Sequence, residues 1–162
     1  MASEILRIHQ DLINRKISCT ELIKNRIAEL EENDFNSANF LLSDMAMEMA
    51  EKVDNKINKG EDISILEGIP FGLKDVYLLQ DCPASASSDF LKNYKSPYTA
   101  TAIQKLLDAG AIPLVKENCD SFGHGSSSEN TVFGPVNNAV NKKLVAGGSS
   151  GGSAVNVARG YT

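Results

Sequence analysis

The chain has 162 residues, 42% of them hydrophobic and 6% aromatic, which supports one domain with its own core and leaves little for a second. Its formal charge is −5 and its Lys and Arg residues are scattered, so it has no basic stripe to neutralise phosphates, and direct nucleic-acid binding is not expected. Its apolar runs fall far short of the roughly 20 residues that cross a membrane, and "MASEILRIHQ" lacks the layout of a signal peptide, so a cytoplasmic chain without membrane contact is expected.

Ser3 can cap a first helix carrying Ile5, Leu6, Ile8, Leu12 and Ile13. Ser18 followed by Glu21 forms a capping box, after which Leu22, Ile23, Ile27 and Leu30 line one stripe of a second helix. The short apolar run "NFLL" at 39–42 reads as a strand. Met45, Met49, Val53 and Ile57 recur every four residues beside Ala46 and Ala50, giving a third helix that Gly60 closes, with the methionines as core fillers. Cys19, Cys82 and Cys119 are odd in number and widely spaced, which suits reduced, buried thiols.

The texture changes after Glu67. "GIPFGLKDVYLL" reads as a strand interrupted by Gly and Pro. "TATAIQKLLDAG" is an amphipathic helix closed by Gly110, and "AIPLVK" a buried strand. The expected fold is α/β: a helical lead-in over 1–60, then over 61–162 a mixed, partly parallel sheet flanked by helices.

The run "VAGGSSGGSAV" at 145–155 admits several motifs. A P-loop is excluded because no Lys follows Lys143, and the dinucleotide turn is not matched. A nucleophile elbow is matched on Ser149 and on Ser150, but its acid and His should follow, and the rest of the chain has neither. His9 and His124 lie upstream, and His124 in "FGHGSSSEN" reads as a loop or packing residue. Cys119 and His124 are too few to hold zinc, and no metal is expected. "SAVNVARG" then reads as a helix with Ala154, Val155, Val157 and Ala158 on its apolar stripe and Gly160 as its stop. A loop entering a helix, here with Gly147, Gly148, Gly151 and Gly152, can offer backbone N–H groups to an anion or a developing oxyanion. Without a usable His, the candidate base is a lysine, and Lys74 follows an apolar strand where burial favours a neutral amine. Asp75 points to the opposite face of an extended backbone, where it can fix the loop.

"GIPFGLKDV", "GAIPLVKENCDSFGHGSSSENTVFGPVNNA" and "VAGGSSGGSAV" together resemble the amidase signature family, with Lys74 and Ser149 in the family's order and separation. Within it, "GSSSEN" at Gly125–Asn130 and "FGP" at Phe133–Pro135 are most similar to the A-subunit branch of aspartyl/glutamyl-tRNA amidotransferases. The resemblance implies that these residues form the N-terminal part of a single amidase-signature domain. It makes Lys74 the general base and Ser149 a bridging serine preceded by a cis peptide from Gly148. Ser150 would add a hydrogen bond to the network, with Asp75 as support. Gly125, Ser126, Ser127 and Ser128 would line the substrate pocket, with structural support as the competing role for the serines.

The substrate implied is glutamine or another small amide. Hydrolysis needs no cofactor, whereas the coupled transamidation takes ATP and magnesium in a partner subunit. Partners would be the B and C subunits, with tRNA reached only through them. The family's nucleophilic serine lies roughly two dozen residues beyond the bridging serine and is not in this chain, so these residues alone are expected to hydrolyse no amide. Ala146, where relatives often have Pro, and His124, where they often have an apolar residue, leave the substrate open. A general small-amide amidase of the same family and a non-catalytic scaffold or fragment remain as alternatives.

Overall fold

Serine hydroxyls start the first two helices of the computed structural model, which describes residues 3–162. Ser3 accepts from the Leu6 N–H at the head of α1 (Glu4–Ile13), and Ser18 from the Glu21 N–H, 3.0 Å away, at the head of α2 (Cys19–Glu31). Strand β1 (Ala38–Leu41) leads into α3 (Ser43–Asn58), and Gly60 follows that helix at φ +76°. After β2 (Pro70–Lys74), a long loop reaches α4 (Thr101–Asp108), β3 (Ile112–Glu117) and, past a second long loop, α5 (Gly151–Arg159).

The three strands form one mixed sheet in the order β1-β3-β2, with β1 antiparallel and β2 parallel to the central β3. The strand from the helical lead-in therefore joins the same sheet as the later part of the chain. All six residues of β3 are buried, as a centre strand covered on both faces requires. Helices α1, α2 and α3 pack on it through Leu12, Ile23, Ala46, Ala50, Ile112 and Leu114. Each fully buried Leu or Ile side chain among these contributes roughly 1.5–3 kcal/mol. Ala46 and Ala50 are the fully buried side of α3, whereas Met45 and Met49 fill its margins, because small residues let the helix approach the sheet.

Parity sorts the side chains of the β2–β3 ribbon. Beyond an irregularity at Phe71/Gly72, Lys74 sits opposite Glu117 and Leu73 opposite Lys116. Gly72, Lys74 and Glu117 thus share one face, which α5 covers, and Leu73, Asp75 and Lys116 share the other.

The expected apolar stripe of α5 is not the one observed. Gly151, Gly152, Val155 and Asn156 are buried, while Val157 is 67% exposed and Ala154 and Ala158 are also exposed. The first two residues of the helix pack so closely on their neighbours that neither Gly151 nor Gly152 has room for a side chain. A Cβ on Gly152 would press on the carbonyl oxygens of Asn118 and Ser37. Gly160 ends the helix at φ +72°, as expected.

Candidate active site

Lys74 closes β2 with its side chain on the α5 face, and its Nζ donates to the Ser149 Oγ at 2.6 Å. Residues 75 apart in sequence thus meet because β2 and the N-terminus of α5 end at the same edge of the ribbon. Both are half-buried, and the Gly148–Ser149 peptide is cis. A cleft of about 590 Å³ opens beside the pair, lined in part by Gly72, Lys74, Tyr77, Glu117, Ser150 and Ser153.

The loop carrying Ser149 is braced from within. Asp120, fully buried, donates its N–H to the Ser149 carbonyl at 3.1 Å, while its carboxylate accepts from the N–H groups of Ser128 and Asn130. Ser128, also fully buried, donates its hydroxyl to the Gly147 carbonyl at 2.8 Å and accepts from the Gly151 N–H at 3.0 Å. It therefore staples both sides of the bend that presents Ser149. Gly148 and Gly125 crowd the Asp120 carboxylate so closely that neither has room for a side chain.

The opposite face of the ribbon holds a buried ion pair, Lys116 Nζ to Asp75 Oδ1 at 3.5 Å, with both side chains fully buried. Lys116 also donates to the Tyr77 carbonyl at 2.5 Å, and Tyr77 donates its N–H to the Lys74 carbonyl at 2.8 Å. Burial pulls the Lys116 ammonium below the ordinary lysine value, and the attraction of Asp75 opposes this. The other Asp75 oxygen accepts from Asn39 Nδ2, from the Ser85 hydroxyl and from the Ser87 N–H. Asp75 thus fixes the loop over 85–87, and through Lys116 the turn that follows Lys74.

The structure treats the expected site residues unequally. Lys74 and Ser149 meet. Ser128 takes the supporting role, while Gly125 and Ser126 are exposed and Ser127 is half-buried. Ser150 begins α5 without a side-chain cap, and its exposed hydroxyl makes no hydrogen bond among the described residues, so the extra bond expected from it is not formed. The oxyanion role expected of the glycine backbone is corrected at three positions. The N–H of Gly148 donates to the Ser126 carbonyl, that of Gly151 to the Ser128 hydroxyl, and that of Gly152 to the Asn118 carbonyl. The first two orphan donors of the helix, those of Gly151 and Gly152, are thus engaged internally, with Gly147 lending its carbonyl to the same bracing. His124 is an exposed loop residue, as its sequence context suggested.

Sequence reasoning missed Asp120, Asn118, Ser87, Lys116 and Glu117. Fully buried Asn118 donates to the carbonyls of Asn36 and Gly134 and accepts from Thr131 Oγ1 at 2.7 Å. Ser87 accepts from Asn39 Nδ2 and from the Cys119 N–H. For Lys116, Glu117 and Asn118 the available signal was the polar run "KEN" continuing directly from a buried apolar strand. That pattern places polar groups inside, where each needs a partner.

Residues 18–162 match the family model described as Amidase. The A subunit of the glutamyl-tRNA(Gln) amidotransferase of Gloeothece citriformis is 42% identical over 160 residues, covering 98% of this chain and 33% of the relative. A solved bacterial aryl acylamidase of the amidase signature enzymes superposes with a TM-score of 0.89 at 27% identity, over 99% of this chain and 34% of that one. The corresponding glutamyl-tRNA(Gln) amidotransferase protein of Thermotoga maritima, also an A subunit, gives a TM-score of 0.70 at 28% identity, over 89% and 29%. The chain spans about a third of the length of the curated relatives it matches.

Proposed function

Because the chain belongs to the amidase signature family, we propose that its Lys74–Ser149 pair is the proton relay of an amide hydrolase whose substrate is glutamine. The observation that carries the reading is the 2.6 Å contact between Lys74 Nζ and Ser149 Oγ. In the unprotonated state Lys74 accepts the Ser149 proton along this contact, and Ser149 takes one in turn from the nucleophilic serine. That serine attacks the amide carbon, ammonia leaves carrying the relayed proton, and water releases glutamate from the acyl-enzyme. The hydrolysis draws on no cofactor. The partners are the B and C subunits, and the consumption of the ammonia in transamidation, with ATP and magnesium, is assigned to a partner subunit, through which alone tRNA is reached. The 41–42% identity to amidotransferase A subunits across nearly the whole chain favours glutamine.

A second reading is a general small-amide amidase, favoured by the superposition on the aryl acylamidase. Both are tested in a chimera that joins these 162 residues to the remaining segment of the Thermotoga maritima protein. Glutamine-dependent ammonia release, lost in Lys74→Ala and in Ser149→Ala, supports the relay and the substrate. Release from anilides or short amides but not from glutamine selects the second reading. A Lys74→Ala chimera with undiminished turnover refutes the relay. The 162 residues alone are expected to release no ammonia.

A further inference from the structure

Glu117 is 2% exposed at the last position of β3, beside Lys74 in the ribbon, and makes none of the contacts by which Lys74 and Ser149 meet. Both its oxygens are held from α5. The Ser153 hydroxyl donates to Oε2, and Asn156 Nδ2 donates to Oε1 at 3.0 Å. Gly72 clears the space the carboxyl group occupies, since a Cβ there would overlap it. Burial raises the Glu117 carboxyl above its ordinary value while these two bonds pull the other way.

These contacts have a geometric consequence. Helix α5 begins two residues after Ser149, so fixing the helix at Ser153 and Asn156 fixes the approach of Ser149 to the sheet. Lys74 is fixed by the same sheet, through the β2–β3 pairing. We propose that Glu117 is a positioning residue that sets the Lys74–Ser149 separation by tying the first turns of α5 to the end of β3. It acts through the helix. The proposal rests on reading Lys74–Ser149 as the relay, and a measurement that needs no turnover tests it separately.

With lysine labelled with ¹³C at Cε, each lysine of the chain gives a Cε–Hε signal, and Lys74→Arg identifies that of Lys74. The wild-type signal is expected to lie apart from those of the exposed lysines. Glu117→Gln should keep it there, because an amide can still accept from Asn156 and can donate to Ser153. Glu117→Ala and Gly72→Ala should move it into the exposed group, and Ser153→Ala, which removes one of the two bonds, should move it part of the way. Circular dichroism establishes that each variant is folded. A folded Glu117→Ala with an unmoved signal overturns the proposal. If that variant does not fold, an unmoved signal in Ser153→Ala overturns it. A Glu117→Gln shift as large as that of Glu117→Ala, or a wild-type signal within the exposed group, does so too. Failure of the amidase reading is seen elsewhere, as a chimera that hydrolyses no amide while the Lys74 signal still follows residue 117.

Discussion

Lys116→Met tests whether the buried ion pair behind the relay is held as described. At 3.5 Å and an effective dielectric of about 20, the attraction between Lys116 and Asp75 is about 5 kcal/mol. Desolvation offsets much of it, consistent with the lowered Lys116 value. Removing the lysine leaves the Asp75 carboxylate fully buried with only its three hydrogen-bond donors, Asn39, Ser85 and Ser87. The expected loss is about 3 kcal/mol, the low end for breaking a buried pair because those donors remain. In urea this corresponds to a midpoint lowered by about 1 to 3 M. Adding Asp75→Asn to Lys116→Met removes the stranded charge and should restore about 2 kcal/mol, a coupling read from the double-mutant cycle. If Lys116→Met is as stable as the wild type, or the double variant is no more stable than the single, the pair does not have these energetics.

Ser128→Ala removes a donated and an accepted bond at a fully buried site, so a loss of about 2 kcal/mol is expected, seen as a melting temperature lower by about 6 °C. Gly152→Ala should destabilise by about 2–3 kcal/mol in urea despite the better helix propensity of alanine, because the new methyl meets backbone oxygens that cannot give way. Glu117 makes stability depend on pH. Its folded value lies above the ordinary 4.5, so its contribution is complete below that pH and is lost as pH rises through the raised value. Melting followed from about pH 4 upward should show this decline in the wild type and a flatter profile in Glu117→Gln, and parallel profiles would refute it.

The helices were legible because their signals are local. Ser3 and Ser18 cap through their hydroxyls as read, although the return bond of Glu21 to the Ser18 N–H is not made among the described residues, and Gly60 and Gly160 stand where α3 and α5 end. β3 was legible as an apolar run, and Lys74 with Ser149 as members of a recognisable pattern. The bracing was not, because it depends on pairs distant in sequence. Asn118 bonds the carbonyl of Asn36, and Glu117 bonds Asn156. The stripe of α5 was misread for a related reason. Periodicity picked out Val157 and Ala158, but the helix packs through glycine and Asn156 onto a strand end whose polar side chains decide what faces inward. The glycine N–H groups looked available in sequence because their internal acceptors, the carbonyls of Ser126 and Asn118 and the Ser128 hydroxyl, cannot be located there.

Lys116 and Glu117 are adjacent in the chain yet are enclosed on opposite sides of the ribbon, one against Asp75 and the other beneath α5. A slip of β3 by a single residue in one direction would set Glu117 against the Asp75 carboxylate, and a slip in the other would set Lys116 against the hydrogens that Ser153 and Asn156 donate. Either slip places like partners face to face in a dry interior. The alternation of charge at the strand's end therefore acts as a checksum on strand alignment, admitting the one pairing in which Lys74 can reach Ser149.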